Sequence, residues 1–117
     1  MAGPAASLDL LKGTLDLLIL KSLSWGAAHG YAIARWIERL TVDTLQIGEG
    51  SLYPALHRLE ARKWVESEWR VSDQHRRAKF YRLTAAGRAQ LKAERAGWER
   101  FVEAVARVLH ASEQPSA

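Results

Sequence analysis

The chain has no cysteine among its 117 residues, which excludes disulfides, thiolate metal sites and cysteine nucleophiles. It also has no long hydrophobic run. The longest apolar stretch, Leu15–Leu20, is interrupted by Asp16 and falls far short of a membrane span. Met1–Ser7 lacks the basic start and apolar stretch of a signal peptide. A soluble, cytoplasmic chain with no membrane partner is therefore expected. Catalytic signatures are missing too. His29, His57, His75 and His110 stand on different segments, without the spacing that would chelate a metal. Gly48 and Gly50 make a GxG without the other glycines of a phosphate loop, and Ser51 has no base close in sequence. No enzyme activity, no metal and no cofactor are expected. No internal repeat and no linker divides the chain.

What is present suits one globular domain: 117 residues, of which 48% are hydrophobic and 26% charged. The net charge of +4 favours a polyanionic partner weakly. Its distribution says more. Residues 1–47 carry four basic and four acidic side chains, whereas residues 48–83 carry eight basic against five acidic. Within residues 70–82 the balance is five to one. The positive charge thus concentrates on one middle segment.

Periodicity predicts four helices. The first, capped by Ser7 or Asp9, carries Leu11, Leu15, Leu18, Ile19 and Leu23 at helical spacing and ends at Ser24-Trp25-Gly26. The second opens near His29-Gly30, with Tyr31, Ile33, Ala34, Ile37 and Leu40 on its apolar face and Arg35, Glu38 and Arg39 opposite. Thr44–Ile47 alternates, which suits a short strand. In the third, Ser51 as N-cap would place Pro54 in the first turn, where its missing N–H forfeits no helical bond. Leu52, Ala55, Leu56 and Leu59 then face the core, and Tyr53, His57, Arg58 and Arg62 point elsewhere. From Leu52 to Lys63 this helix is roughly 18 Å long, enough to cross a major groove.

Two strands follow, Val65–Val71 and Lys79–Thr84, joined by a polar loop bearing Arg76 and Arg77. Val65, Ser67, Trp69 and Val71 share one face; Phe80 and Arg82 oppose Tyr81 and Leu83. The aromatics Trp64, Trp69, Phe80 and Tyr81 are expected to pack this hairpin onto the helices. A short helix followed by a basic hairpin is the order in which a winged helix-turn-helix offers one helix to a DNA groove and a wing to flanking phosphates. The fold expected is mainly α with a small β-wing. Arg and Lys there would neutralise phosphates, and Arg58, His57 and Tyr53 would in addition meet base edges or sugars.

Thr84 is placed to cap a last helix from Ala85 to about His110, roughly 40 Å long, with a frayed tail over Ala111–Ala117. Leu91, Trp98, Phe101, Val102, Val105, Val108 and Leu109 recur at steps of three and four, an apolar stripe that a second copy of the chain would cover. The expected organisation is a DNA-binding winged domain over residues 1–84 and a dimerisation helix with its tail over 85–117, in one structural unit.

The segments LLKGTLDLLILKSLSWGAAHGYAI, EGSLYPALHRLE, VESEW and RRAKFYRLTAAGRAQL occur in the order and spacing of one family. Together, over roughly residues 10–91, they resemble the PadR-type transcriptional regulators. The short C-terminus is similar to the smaller subfamily with a single C-terminal helix. The resemblance implies a homodimer on double-stranded DNA with a palindromic operator, usually a repressor released by an effector. It assigns Ser51, Tyr53, Pro54, His57 and Arg58 to the recognition-helix motif and Arg76, Arg77 and Lys79 to the wing. Arg62 and Lys63 extend that DNA-binding set. It also implies that small aromatic effectors can bind near the dimer interface, for which Trp98 is the candidate contact; the alternative, which weighs somewhat more, is that Trp98 simply fills the helix–helix seam. In one place the chain departs from the pattern: Lys63 stands where LExxGW has glycine. Either the backbone adjusts there, or Lys63 takes the left-handed conformation that glycine favours at a helix end. Two other readings remain: a winged-helix module that binds protein and not DNA, and a protein whose small-molecule ligand matters more than its DNA.

Overall fold

The computed structural model describes residues 12–71 and 73–116. Four helices and a three-stranded sheet follow one another as α1 (Lys12–Ser22), β1 (Ala28–His29), α2 (Gly30–Leu40), α3 (Glu49–Ala61), β2 (Val65–Val71), β3 (Arg77–Leu83) and α4 (Ala85–Leu109). A 3-10 turn over Leu23–Trp25 ends α1. The architecture is mainly helical with a small antiparallel sheet, as expected. Ser7, Asp9 and Leu11 lie outside the described residues.

One core joins all of these elements except the far end of α4. Leu15, Ile19, Leu20 and Leu23 meet Ile33, Ala34 and Ile37 of α2 and Leu52, Ala55, Leu56 and Leu59 of α3. Val65, Tyr81 and Leu83 close it from the sheet. These positions recur at helical spacing on α2 and α3, so each helix buries one stripe and leaves its opposite face in water. Two residues depart from the predicted apolar face of α2: Tyr31 and Leu40 are exposed, and the buried stripe is Gly30, Ile33, Ala34 and Ile37.

The sheet corrects the strand assignments. Residues 44–47 form no strand; the third strand is the two-residue β1, paired with β3 through Ala28 with Tyr81 and His29 with Phe80. Two residues give too little alternation to read in sequence. In the hairpin, antiparallel pairing continues outward until Val71 faces Arg77. Arg77 and Ala78 are therefore strand residues and not loop, which shortens the connection between the strands. Trp69 is a further correction. It shares a face with Val65, but by that register the strand has passed the edge of the helical body, and Trp69 is 56% exposed.

The start of α3 also differs from expectation. Gly48 is the N-cap, and Glu49 opens the helix, so Ser51 lies within the first turn and caps nothing. The Leu52 N–H already bonds to the Gly48 carbonyl at 3.0 Å. Pro54, two residues further on, sits in the second turn and leaves the Gly50 carbonyl without its helical partner. The helix continues because Leu52, Ala55, Leu56 and Leu59 anchor it to the core.

The junction before α4 is tightly built. Thr84 accepts a hydrogen bond from the Gly87 N–H at 3.0 Å, the expected cap, and its Oγ1 donates to the Lys63 carbonyl at 2.7 Å. Its own N–H donates to the Trp64 carbonyl at 3.1 Å. Gly87 is buried here, and a Cβ on it would collide with the Trp64 carbonyl oxygen. Beyond this point α4 leans on α1 and then runs clear of the body.

Candidate nucleic-acid interface

α3 exposes Glu49 at its start and then Gly50, Ser51, Tyr53, Pro54, His57 and Ala61 along its outer face. That face carries hydroxyl, phenol and imidazole groups but no cation. Arg58, expected on this face, turns inward instead: its Nη2 lies 2.9 Å from Oδ1 of Asp16 on α1, and the pair is largely covered. The partners stand 42 residues apart, so nothing local in the sequence signals the pair. Arg58 is thus a strut between α1 and α3.

The wing is positioned by Glu60. Ser67 donates to Glu60 Oε2 at 2.6 Å, and Lys79 lies 3.8 Å from Oε1. Lys79 therefore braces β3 against α3 before it can serve a ligand. Beside it, burial raises the Tyr81 phenol above its ordinary pKa, with the Glu60 carboxylate adding to the effect. On the other face of the hairpin Arg82 pairs with Glu66 at 2.7 Å, and Arg70 with Glu68 at 3.2 Å. Of the eight basic residues counted in residues 48–83, Arg58, Arg70, Lys79 and Arg82 are thus held by carboxylates in these pairs, and four more stand at the end of α3 and in the wing.

Those are Arg62, Lys63, Arg76 and Arg77, all exposed. Arg62 lies over Trp64 at 5.2 Å and Arg77 over Trp69 at 4.9 Å. Among the described residues, Arg62, Lys63 and Arg77 have no carboxylate partner. Flat stacking on an aromatic face holds each guanidinium while leaving its N–H edge available to an acceptor. The exposed Trp69 accordingly acts as a platform for Arg77, a role hidden in sequence. Lys63 has φ 64, the left-handed value. Its N–H bonds to the Glu60 carbonyl at 2.9 Å, and the Trp64 N–H bonds to the Leu59 carbonyl at 3.0 Å. Both hydrogen bonds of a Schellman helix end are therefore formed, with lysine where glycine is usual.

On α4 the apolar stripe divides. Leu91 is half-buried against the chain's own core, because the first half of α4 lies on α1 and β3. Trp98, Phe101, Val102, Val105, Val108 and Leu109 are exposed by 38% to 75%. Trp98 and Phe101 sit with ring centres 6.1 Å apart. They border a groove of about 420 Å³ that Thr14 and Leu17 of α1 and Glu94 of α4 also line. Among the described residues no cluster of His, Asp or Glu is arranged for a metal ion, and no helix is long and apolar enough to cross a membrane.

A helix-turn-helix whose third helix is exposed beside a two-stranded wing, with exposed cations flanking it, defines a winged-helix regulator. The chain belongs to the PadR-like family of transcriptional regulators, whose family model matches residues 19–93. Members of this family are regulators and not enzymes. A transcriptional regulator of Mycobacterium tuberculosis, Rv3488, is 36% identical over 98 residues, covering 83% of this chain and 87% of that one. Among solved structures, a transcriptional regulator from Clostridium thermocellum superposes with a TM-score of 0.74 at 29% identity, over 82% of this chain and 93% of the other. A PadR-like regulator from Bacillus cereus gives 0.75 at 27% identity, over 87% and 97%.

Proposed function

We propose that this regulator binds duplex DNA sequence-specifically as a homodimer, on a palindromic operator, and represses transcription until an effector releases it. The observation that carries the reading is the cation-free outer face of α3, with its hydroxyl, phenol and imidazole groups, flanked by exposed cations at Arg62, Lys63 and Arg77. Neutral donors and acceptors on a helix suit base edges, whereas cations at its flanks suit phosphates. Ser51, Tyr53 and His57 are assigned to the groove, with Pro54 shaping the approach. Arg62, Lys63, Arg76 and Arg77 take backbone phosphates, and Arg58 and Lys79 position the elements that carry them. The exposed half of the α4 stripe supports a dimer. The groove beside Trp98 and Phe101 supports a small aromatic effector bound where two copies meet. Such a protein acts in the cytoplasm, where its operator is.

Selection of bound fragments from a genomic library, followed by footprinting, tests this directly. Two protected half-sites about 34 Å apart and related by symmetry are expected. Affinity falls with salt, log K against log salt dropping by about 0.9 per phosphate neutralised. Arg76→Ala with Arg77→Ala flattens that slope by roughly one to two units while the fold persists. Failure to retain any duplex, with capture of a protein partner instead, would make this a protein-interaction module.

A further inference from the structure

The start of α2 borders both the wing tip and the start of α3, and the recognition motif does not include its side chains. His29, Tyr31, Gln74, Arg76, Arg77 and Ala78 line a cleft of about 530 Å³ there. Tyr31 also borders a second cleft with Tyr53 and Gly48, at the start of α3. It therefore stands on the seam joining the recognition helix to the wing. It is 68% exposed, and among the described residues its hydroxyl has no hydrogen-bond partner.

His29 is held in a fixed pose beside it. Its Nδ1 accepts the Ala32 N–H at 3.2 Å, capping α2. That hydrogen bond leaves the proton of the neutral ring on Nε2. The ring meets Phe80 edge-on at 5.2 Å and stacks with Tyr31 at 6.5 Å. Two neutral donors, a phenol and an imidazole N–H, thus border one cleft whose far wall carries Arg77.

We propose that this cleft holds a phosphate of the DNA backbone, with Tyr31 and His29 donating to it from α2 while Arg77 neutralises it from the wing. The assignment rests on the DNA-binding reading above. A strand leaving α3 for the wing must cross the seam that Tyr31 occupies, and a phosphate is what it presents at such a crossing. The contact carries no sequence information. It fixes how far the wing stands from the recognition helix along the backbone.

Neutral and charged contacts to one phosphate differ in a measurable way. Removing a cation removes a released counterion and changes the salt slope; removing a hydroxyl does not. The test uses the full chain and a mixed-sequence duplex about three helical turns long, titrated across salt concentrations. Tyr31→Phe is expected to weaken binding roughly tenfold at every salt, since it removes a hydrogen bond to a charged acceptor. The slope and the melting temperature stay those of the wild type. His29→Asn keeps a capping acceptor for Ala32 but loses the ring donor, and a comparable loss is expected. Arg77→Ala is expected to lower the slope by about 0.9. If the wild type binds and both α2 variants bind within about twofold of it, where the lost hydrogen bond predicts far more, the cleft assignment is overturned and DNA binding stands. If Tyr31→Phe alters the slope, the phenol does not act as a neutral donor and the assignment also fails. If the wild type itself shows no salt-dependent binding, the DNA reading falls and takes the cleft with it.

Discussion

Lys63 shows how far a single residue can depart from its pattern while the backbone keeps to it. The left-handed conformation at φ 64 and both Schellman hydrogen bonds are formed without glycine. A Cβ in that conformation crowds the neighbouring carbonyl, at a cost of about 1 kcal/mol. Lys63→Gly is therefore expected to raise Tm by about 3–6 °C in thermal unfolding, on the scale for a domain this size. The same change removes a cation, so the salt slope of DNA binding should fall by about one unit. An unchanged Tm would mean that the surrounding hydrogen bonds already offset the strain. The end of α2 repeats the theme: Val42 has φ 50, its N–H bonded to the Arg39 carbonyl at 3.1 Å, with the Asp43 N–H on the Glu38 carbonyl at 2.8 Å. Neither helix end has the glycine that announces such a stop, which is why the sequence marks the helices better than their exits.

At the scale of elements, the joint between the wing and α4 depends on a backbone approach that only glycine permits. Gly87 faces the Trp64 carbonyl, and Trp64 cannot retreat because its N–H is bonded to the Leu59 carbonyl and its oxygen to the Thr84 N–H. Gly87→Ala should destabilise the domain by roughly 1–3 kcal/mol through overpacking, read as a lower denaturation midpoint. A midpoint equal to the wild type would show that α4 can shift outward at little cost. Such close approaches are invisible in one sequence, whereas the periodic apolar positions of α2 and α3 and the Thr84 cap were plain. The candidate site divides in the same way. Exposed side chains of α3 and the cations Arg62, Lys63 and Arg77 could be read from type and spacing. The retreat of Arg58 to Asp16, the bracing of Lys79 by Glu60 and the platform under Arg77 depend on partners brought together by folding. His29 and Tyr31 carried a faint signal, a histidine before a glycine at a helix start, but the cleft they border needs the wing beside them.

For the molecule as a whole, shape makes the argument for a second copy. A compact chain of this length has a radius of gyration of about 13 Å. Here it is 17.0 Å, with a longest extent of 63 Å, because α4 extends beyond the body. Its free half carries Trp98, Phe101, Val102, Val105, Val108 and Leu109, all exposed. A contiguous apolar strip of this kind is rare on a monomer. Salt bridges between Arg95 and Glu99 at 3.2 Å and between Arg107 and Glu103 at 3.0 Å lie along the same helix, so its polar residues pair within the helix. Two such arms packed about a two-fold axis would bury both strips and set the two α3 helices toward successive major grooves. Trp98→Ser with Val105→Ser should then convert a dimer to a monomer in sedimentation equilibrium at micromolar concentration. Operator affinity should collapse with it, because each half-site contact loses its tethered neighbour. Neither position belongs to the buried core, so the unfolding transition of the winged body is expected to survive. A wild type that sediments as a monomer, or a double variant that stays dimeric, would place the dimer contact elsewhere on the chain.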